Sequence, residues 1–297
     1  MTFNRITVVG AGTMGNGIAH VFAQYGFNVT LCDPNQAQLD LALETISKNL
    51  DRQLQKGKLT QESKAASLNS IEISTQPKLI FPHSDMIIEA VPENMSIKRE
   101  VFEQIGKYKS KHCLVASNTS SLSITALGAM TQTPEQFIGM HFMNPVPVMP
   151  LVEVIVGHRT AQKTVDAVVA LSQKINKKPF IVNDYPGFVA NRIALPMINE
   201  AIEALELGVG GVLEIDQIMK LGMGHPMGPL QLADFIGLDV CLAILEILHK
   251  ELGKDKYAPS ILLRKMVLAQ HLGRKSGIGF YDYQSDIKNP TIAPQFT

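Results

Sequence analysis

The stretch ITVVGAGTMGNGIAH, Ile6 to His20, restricts the fold more than any other part of the chain. An apolar β-run ends at Gly10, further glycines follow at Gly12 and Gly15, and helical periodicity takes over at once. This succession opens a βαβ dinucleotide-binding unit. Gly10 permits the tight turn off the strand, Gly12 has no side chain to hold a pyrophosphate away, and Gly15 lets the helix pack on the sheet. The amides at the helix start, Thr13 and Met14, then face the phosphates, where the helix dipole favours negative charge. A second short run, NVTLC, leads to Asp33, about 20 residues downstream as such a unit requires. A carboxylate there accepts hydrogen bonds from the adenosine ribose hydroxyls and repels a 2′-phosphate, favouring NAD over NADP. FAD and S-adenosylmethionine enzymes use a similar half-unit, so the turn by itself leaves the reaction open.

Through the first half of the chain, short apolar runs alternate with helical periodicity, the pattern of a parallel sheet covered by helices. The runs are ITVV, VTLC, IEIS, MIIEAV, CLVASN, FIGMHF and LVEVIV. After about Pro186 the alternation stops and apolar residues recur at helical spacing. The expected fold is therefore α/β: a Rossmann-like, mostly parallel sheet domain over residues 1–185, then an all-helical domain over 186–297, divided at the NDYPG turn. CLAILEILHKELG and SILLRKMVLA carry more apolar surface than a small domain is expected to bury alone, which points to a homodimer through the second domain. One crossover helix, between Asn35 and Lys58, is unusually long. Leu39, Leu43, Ile46, Leu50 and Leu54 form its apolar face, and Lys48, Arg52 and Lys56 lie opposite. That basic stripe reads either as a solvated face or as an edge for a phosphate-bearing substrate.

Composition narrows the partners. Lys+Arg 27 against Asp+Glu 27 leaves zero formal net charge, so no global field draws in nucleic acid or an anionic membrane. No apolar stretch is long enough for a membrane span, and the first strand begins by Ile6, which fits a cytoplasmic protein or a processed organellar form. Cys32, Cys113 and Cys241 are far apart, each in an apolar run, and no clustered ligand spacing is present; neither disulfides nor a metal are expected.

Chemistry in open parallel sheets lies beyond the carboxyl ends of the strands. SNTSS stands there with hydroxyls and an amide, HFMNP with His141, and the strand LVEVIVG with Glu153. A histidine and a glutamate on adjacent strands suit acid–base work, because the carboxylate fixes the imidazole tautomer and raises its basicity. His225, in GMGHPMGP, is the rival histidine.

Together VVGAGTMGNGIA, EAVPENMSIKREVF, ASNTSSLSIT, GMHFMNPVPVMPLVEVI, PGFVANRI, GHPMGPLQLADFIGLD and GRKSGIGFYDY resemble the L-3-hydroxyacyl-CoA dehydrogenases, including the short-chain 3-hydroxybutyryl-CoA dehydrogenases of bacteria. The similarity spans essentially the whole chain. It implies a Rossmann-like first domain, a helical dimerisation domain, NAD as cofactor and an acyl-CoA thioester as substrate. By position, the resemblance puts the catalytic histidine at His141, its partner glutamate at Glu153, the substrate-contacting serine at Ser120 and an active-site asparagine at Asn191. It puts cofactor contacts at Asp33, Glu93, Lys98, Ser120 and Asn144 besides the glycines, and a basic residue near the CoA phosphates at Lys56. Two other readings compete: an NAD-dependent dehydrogenase of a free 3-hydroxy or sugar acid, and an NAD(H)-binding protein that has lost turnover.

Overall fold

The glycine turn folds as its residue types demand. In the computed structural model, which describes residues 3–297, β1 (Arg5–Val9) ends at Gly10, and α1 (Thr13–Gln24) starts from a Gly12 cap. β2 (Asn28–Cys32) returns parallel to β1. Next come α2 (Gln36–Gln55), α3 (Gln61–Asn69), β3 (Ile71–Ser74), the single turn α4 (Pro77–Ile80) and β4 (Met86–Glu89). The unit continues through α5 (Met95–Tyr108), β5 (Leu114–Ser117), α6 (Ile124–Gly128), β6 (Phe137–Phe142), β7 (Leu151–Val156), α7 (Gln162–Lys174) and β8 (Lys178–Asn183).

These strands make one eight-stranded sheet in the order β3-β2-β1-β4-β5-β6-β7-β8. All neighbours are parallel except β6 and β7. The order reverses between β1 and β4, and the crevice beyond their carboxyl ends is where a doubly wound sheet takes its ligand. β4 and β5 are buried on both faces, which explains why they read as continuous apolar runs. β8 is absent from the apolar alternation read in the sequence. It is an edge strand, mostly exposed, and begins Lys178-Pro179; a proline without an N–H is tolerated at an edge and weakens the strand signal.

α2 follows its periodicity, with Asn35 accepting from the Ala37 amide as the cap. Its buried stripe is Leu39, Ala42, Ile46 and Leu50, with Leu43 and Leu54 half-buried on the flanks. Truncating Ile46, fully buried, to alanine costs about 2–5 kcal/mol by the usual measure of such cavities. α2 turns back on α3, and Lys64 meets Asp51 at 2.5 Å across the hairpin.

The second unit begins at Pro186. It comprises α8 (Ala190–Glu206), α9 (Val212–Met223), α10 (Pro229–Ile236), α11 (Leu238–Leu252) and α12 (Ile261–Leu268), and it is helical as expected, with one addition. A two-residue antiparallel ribbon joins β9 (Tyr281–Asp282) to β10 (Thr291–Ile292). Buried carboxylates fasten it: Asp234 accepts from the Phe280 and Tyr281 amides, and Asp216 accepts from the Tyr281 hydroxyl at 2.8 Å. The surplus apolar surface expected on α11 is used internally. Leu238, Cys241, Ile244, Leu245 and Leu248 all lie in this unit's core, whereas Ile218, Leu221 and Met223 of α9 are exposed. No described helix is long and apolar enough to cross a membrane.

Candidate active site

Two glycines of the turn meet a steric demand, and the third leaves space open. Gly10 has φ +100°, and a Cβ there would stand 2.6 Å from the oxygen of Ala90, the residue that follows β4. A Cβ on Gly15 would stand 1.7 Å from the Gly10 oxygen. At Gly12 a Cβ would meet nothing within 4 Å, so the space above the turn is open to a phosphate. α1 has no side-chain cap, which leaves its first amides, Thr13 and Met14 among them, for an anion. Asp33 ties the turn to β2: Oδ2 accepts from the Ala11 amide and Oδ1 from the Asn35 amide, both at 2.9 Å. Its remaining lone pairs suit the ribose hydroxyls. The turn and its carboxylate therefore fit NAD.

His141 and Glu153 come together through strand register. β6 and β7 are antiparallel with His141 directly opposite Glu153, and Nδ1 lies 2.7 Å from Oε2. Both side chains are nearly buried. With Nδ1–H donating to the carboxylate, the neutral ring keeps its lone pair on Nε2. Between the strands runs a short turn containing the cis Asn144–Pro145 bond. Lys177 holds this turn, donating to the carbonyls of Val146 and Met149 at 2.5 and 2.7 Å.

Glu93 and Lys98 occupy the same end of the sheet in an arrangement the sequence does not reveal. Glu93 Oε1 accepts from the Thr119 hydroxyl at 2.5 Å and from the Ser120 and Ser121 amides at 2.9 and 3.1 Å. Lys98 is buried and bridges Glu89 Oε1, at 2.6 Å, to Glu93 Oε2, at 3.2 Å. Burial pushes the Glu89 carboxyl up against the pull of Lys98. Burial acts on Glu93 in the same sense, yet Lys98 and the hydroxyl and amide donors hold it below the usual carboxylate range. Glu89, Ser117 and Thr119 are thus part of the site's frame, as is Asn118, whose Oδ1 accepts from the Phe142 amide. The available signal for Glu89 was a charged residue ending an otherwise apolar strand.

Asn191 stands in the first turn of α8, in the second unit. Gly187 and Phe188 precede it with φ of 74° and 50°. A non-glycine residue in the left-handed region is uncommon and marks a constrained turn. Lys56 caps the carboxyl end of α2 and is exposed; of its stripe, Lys48 pairs with Glu44 and Arg52 donates to Asn49. His225 follows α9, and its ring makes no hydrogen bond or ion pair among the described residues.

Sheet order, glycine turn and terminal carboxylate define a doubly wound dinucleotide-binding unit. Residues 5–185 match the family described as 3-hydroxyacyl-CoA dehydrogenase, NAD binding domain, and residues 187–283 match the corresponding C-terminal domain. The probable 3-hydroxybutyryl-CoA dehydrogenase of Deinococcus radiodurans is 53% identical over 279 residues, covering 94% of this chain and 100% of that one. Its Bacillus subtilis counterpart is 51% identical over 284 residues, covering 96% and 99%. The crystal structure of (S)-3-hydroxybutyryl-CoA dehydrogenase from Ralstonia eutropha aligns with a TM-score of 0.92 at 47% identity, over 95% of this chain and 100% of that one. The chain belongs to the 3-hydroxyacyl-CoA dehydrogenase family and is an NAD-dependent oxidoreductase.

Proposed function

We propose that the protein interconverts (S)-3-hydroxybutyryl-CoA and acetoacetyl-CoA, with His141 and Glu153 as its acid–base pair. The observation that carries the mechanism is the 2.7 Å hydrogen bond between the two side chains. When bound, NAD supplies the hydride acceptor. His141 Nε2 takes the proton of the 3-hydroxyl as hydride leaves C3, and Glu153 stabilises the imidazolium that results. In the reducing direction the same imidazolium protonates the developing alkoxide. Ser120 orients the reacting oxygen and Asn191 the thioester, a positioning effect comparable in weight to the proton transfer. Gly10, Gly12, Thr13, Met14 and Gly15 receive the pyrophosphate, Asp33 the adenosine ribose, and Glu93, Lys98, Ser120 and Asn144 the nicotinamide half. Lys56 serves the CoA phosphates. We assign the enzyme to the cytoplasm as a homodimer; the three buried free thiols suit a reducing compartment.

Mutation of the pair tests the mechanism. His141→Ala is expected to reduce turnover by a factor on the order of 100 to 10,000 while NADH still binds. Glu153→Gln keeps the shape but loses the charge, so it also slows turnover with cofactor affinity little changed. Because the pair acts as one unit, the double variant should be little worse than His141→Ala. Near-normal turnover of His141→Ala on acetoacetyl-CoA removes the mechanism. Higher activity on free acetoacetate than on its CoA ester removes the substrate assignment.

A further inference from the structure

Glu89 takes no part in the mechanism above, yet it is a fully buried carboxylate at the carboxyl end of β4, beside the switch point of the sheet. Its three partners are specific. Oε2 accepts from Ser117 Oγ at 2.6 Å; Oε1 accepts from the Val91 amide at 2.7 Å and from Lys98 Nζ at 2.6 Å. Ionic groups withdrawn from water in this way add little stability over well-packed apolar residues, because desolvation offsets most of the attraction. What the arrangement does provide is direction.

Lys98, in the first turn of α5, is held on one side by Glu89 and on the other meets Glu93 Oε2 at 3.2 Å. With that oxygen engaged, Glu93 turns Oε1 toward residues 119–121. There it accepts from Thr119 Oγ1, from the amides of Ser120 and Ser121, and from Ser121 Oγ. These bonds span 26 to 28 residues of sequence, so a single carboxylate oxygen fixes the backbone that carries Ser120. Ser117, at the end of β5, closes the circuit: its hydroxyl donates to Glu89 and accepts from the Thr119 amide at 3.2 Å.

We infer that Glu89 is a positioning residue for the dehydrogenase reaction: through Lys98 it sets the orientation of Glu93, and through Glu93 it sets the loop that presents Ser120 to the reacting oxygen. The inference rests on the role proposed for Ser120. Removing the charge of Glu89 lets Lys98 move wholly onto Glu93, which draws that carboxylate away from the loop.

A double-mutant cycle in kcat/KM for acetoacetyl-CoA, using full-length enzyme with NADH at saturation, tests this. Glu89→Gln is expected to lower kcat/KM by about 10- to 100-fold. In a Ser120→Ala background the same change should lower it less than about threefold, because the loop then has no hydroxyl to misplace. A role confined to stability would change Tm and leave the two losses multiplicative. Glu89→Asp, which keeps the charge but shortens its reach to Lys98, should show a smaller loss with the same coupling; it decides the question if Glu89→Gln does not fold. Multiplicative losses, or wild-type kcat/KM in the variant that folds, overturn the inference while Ser120→Ala remains damaging. A silent Ser120→Ala overturns the assignment of Ser120 and the inference together.

Discussion

His20 illustrates how burial silences a titratable side chain. It lies on α1 with 1% of its surface exposed; Nε2 is 3.2 Å from Gln53 Nε2, and Nδ1 has no partner. Burial lowers its pKa to about 4; the neighbouring Gln24 side chain partly opposes this, and the charge of Lys177 adds to it. The unfolded chain therefore takes up the proton first, near pH 6.5, so stability present above that value is lost as pH falls toward 4. Between pH 7 and pH 5 the loss amounts to about 2 kcal/mol. Urea titrations at both values should show that difference for the wild type and a markedly smaller one for His20→Asn, whatever the variant's absolute stability. Equal pH dependence in the two proteins would mean that His20 is protonated in the fold. Glu89 makes the complementary point: its residue type was visible in MIIEAV, but its partners Ser117 and Lys98 depend on which strand and helix stand beside β4.

At the scale of elements, periodicity succeeded where one face is buried and failed where neither is. α2 was legible because Leu39, Ile46 and Leu50 repeat at helical spacing into the core. α3 follows it with only Ser67 buried, so QESKAASLN carries no apolar rhythm, and the helix is set by its Thr60 cap and by packing. The exposed edge strand β8 escaped for a similar reason. The free end of α2 carries its own prediction. Lys56→Ala should raise KM for acetoacetyl-CoA about three- to fivefold at low salt and less at 0.5 M salt, with kcat unchanged, since an exposed lysine–phosphate contact contributes at most about 1 kcal/mol and is screened. A KM unchanged at low salt returns Lys48, Arg52 and Lys56 to a solvated face.

For the whole molecule, the helical unit bears on the association state. Most apolar side chains of α11 lie in its own core, and the exposed apolar side chains of the helical unit include Ile218, Leu221 and Met223 of α9, at 62%, 83% and 67%, and Ile261 and Leu268 of α12, at 62% and 83%. The α9 group is the face proposed for a second copy. A homodimer using this face should scatter light with twice the 32.5 kDa chain mass at micromolar concentration. Leu221→Glu combined with Met223→Glu should shift that mass toward one chain. A variant that stays dimeric places the interface on another surface, and a monomeric wild type removes the dimer.

The class of the first unit, its cofactor turn and the helical character of the second were legible in the residues alone. All three rest on local rules: glycines where a Cβ would strike backbone, an acid at the end of the second strand, and a change of apolar period after Pro186. The sequence also placed Ser120, His141 and Glu153 near strand ends. That His141 and Glu153 face each other was not legible there, because it depends on β7 running antiparallel to β6 in one register; a shift of one residue would turn Glu153 to the other face. The grip of Glu93 on residues 119–121 and of Lys177 on the Asn144–Pro150 turn was equally hidden. Those bonds join segments far apart in sequence, and strand order, not local propensity, brings them within reach.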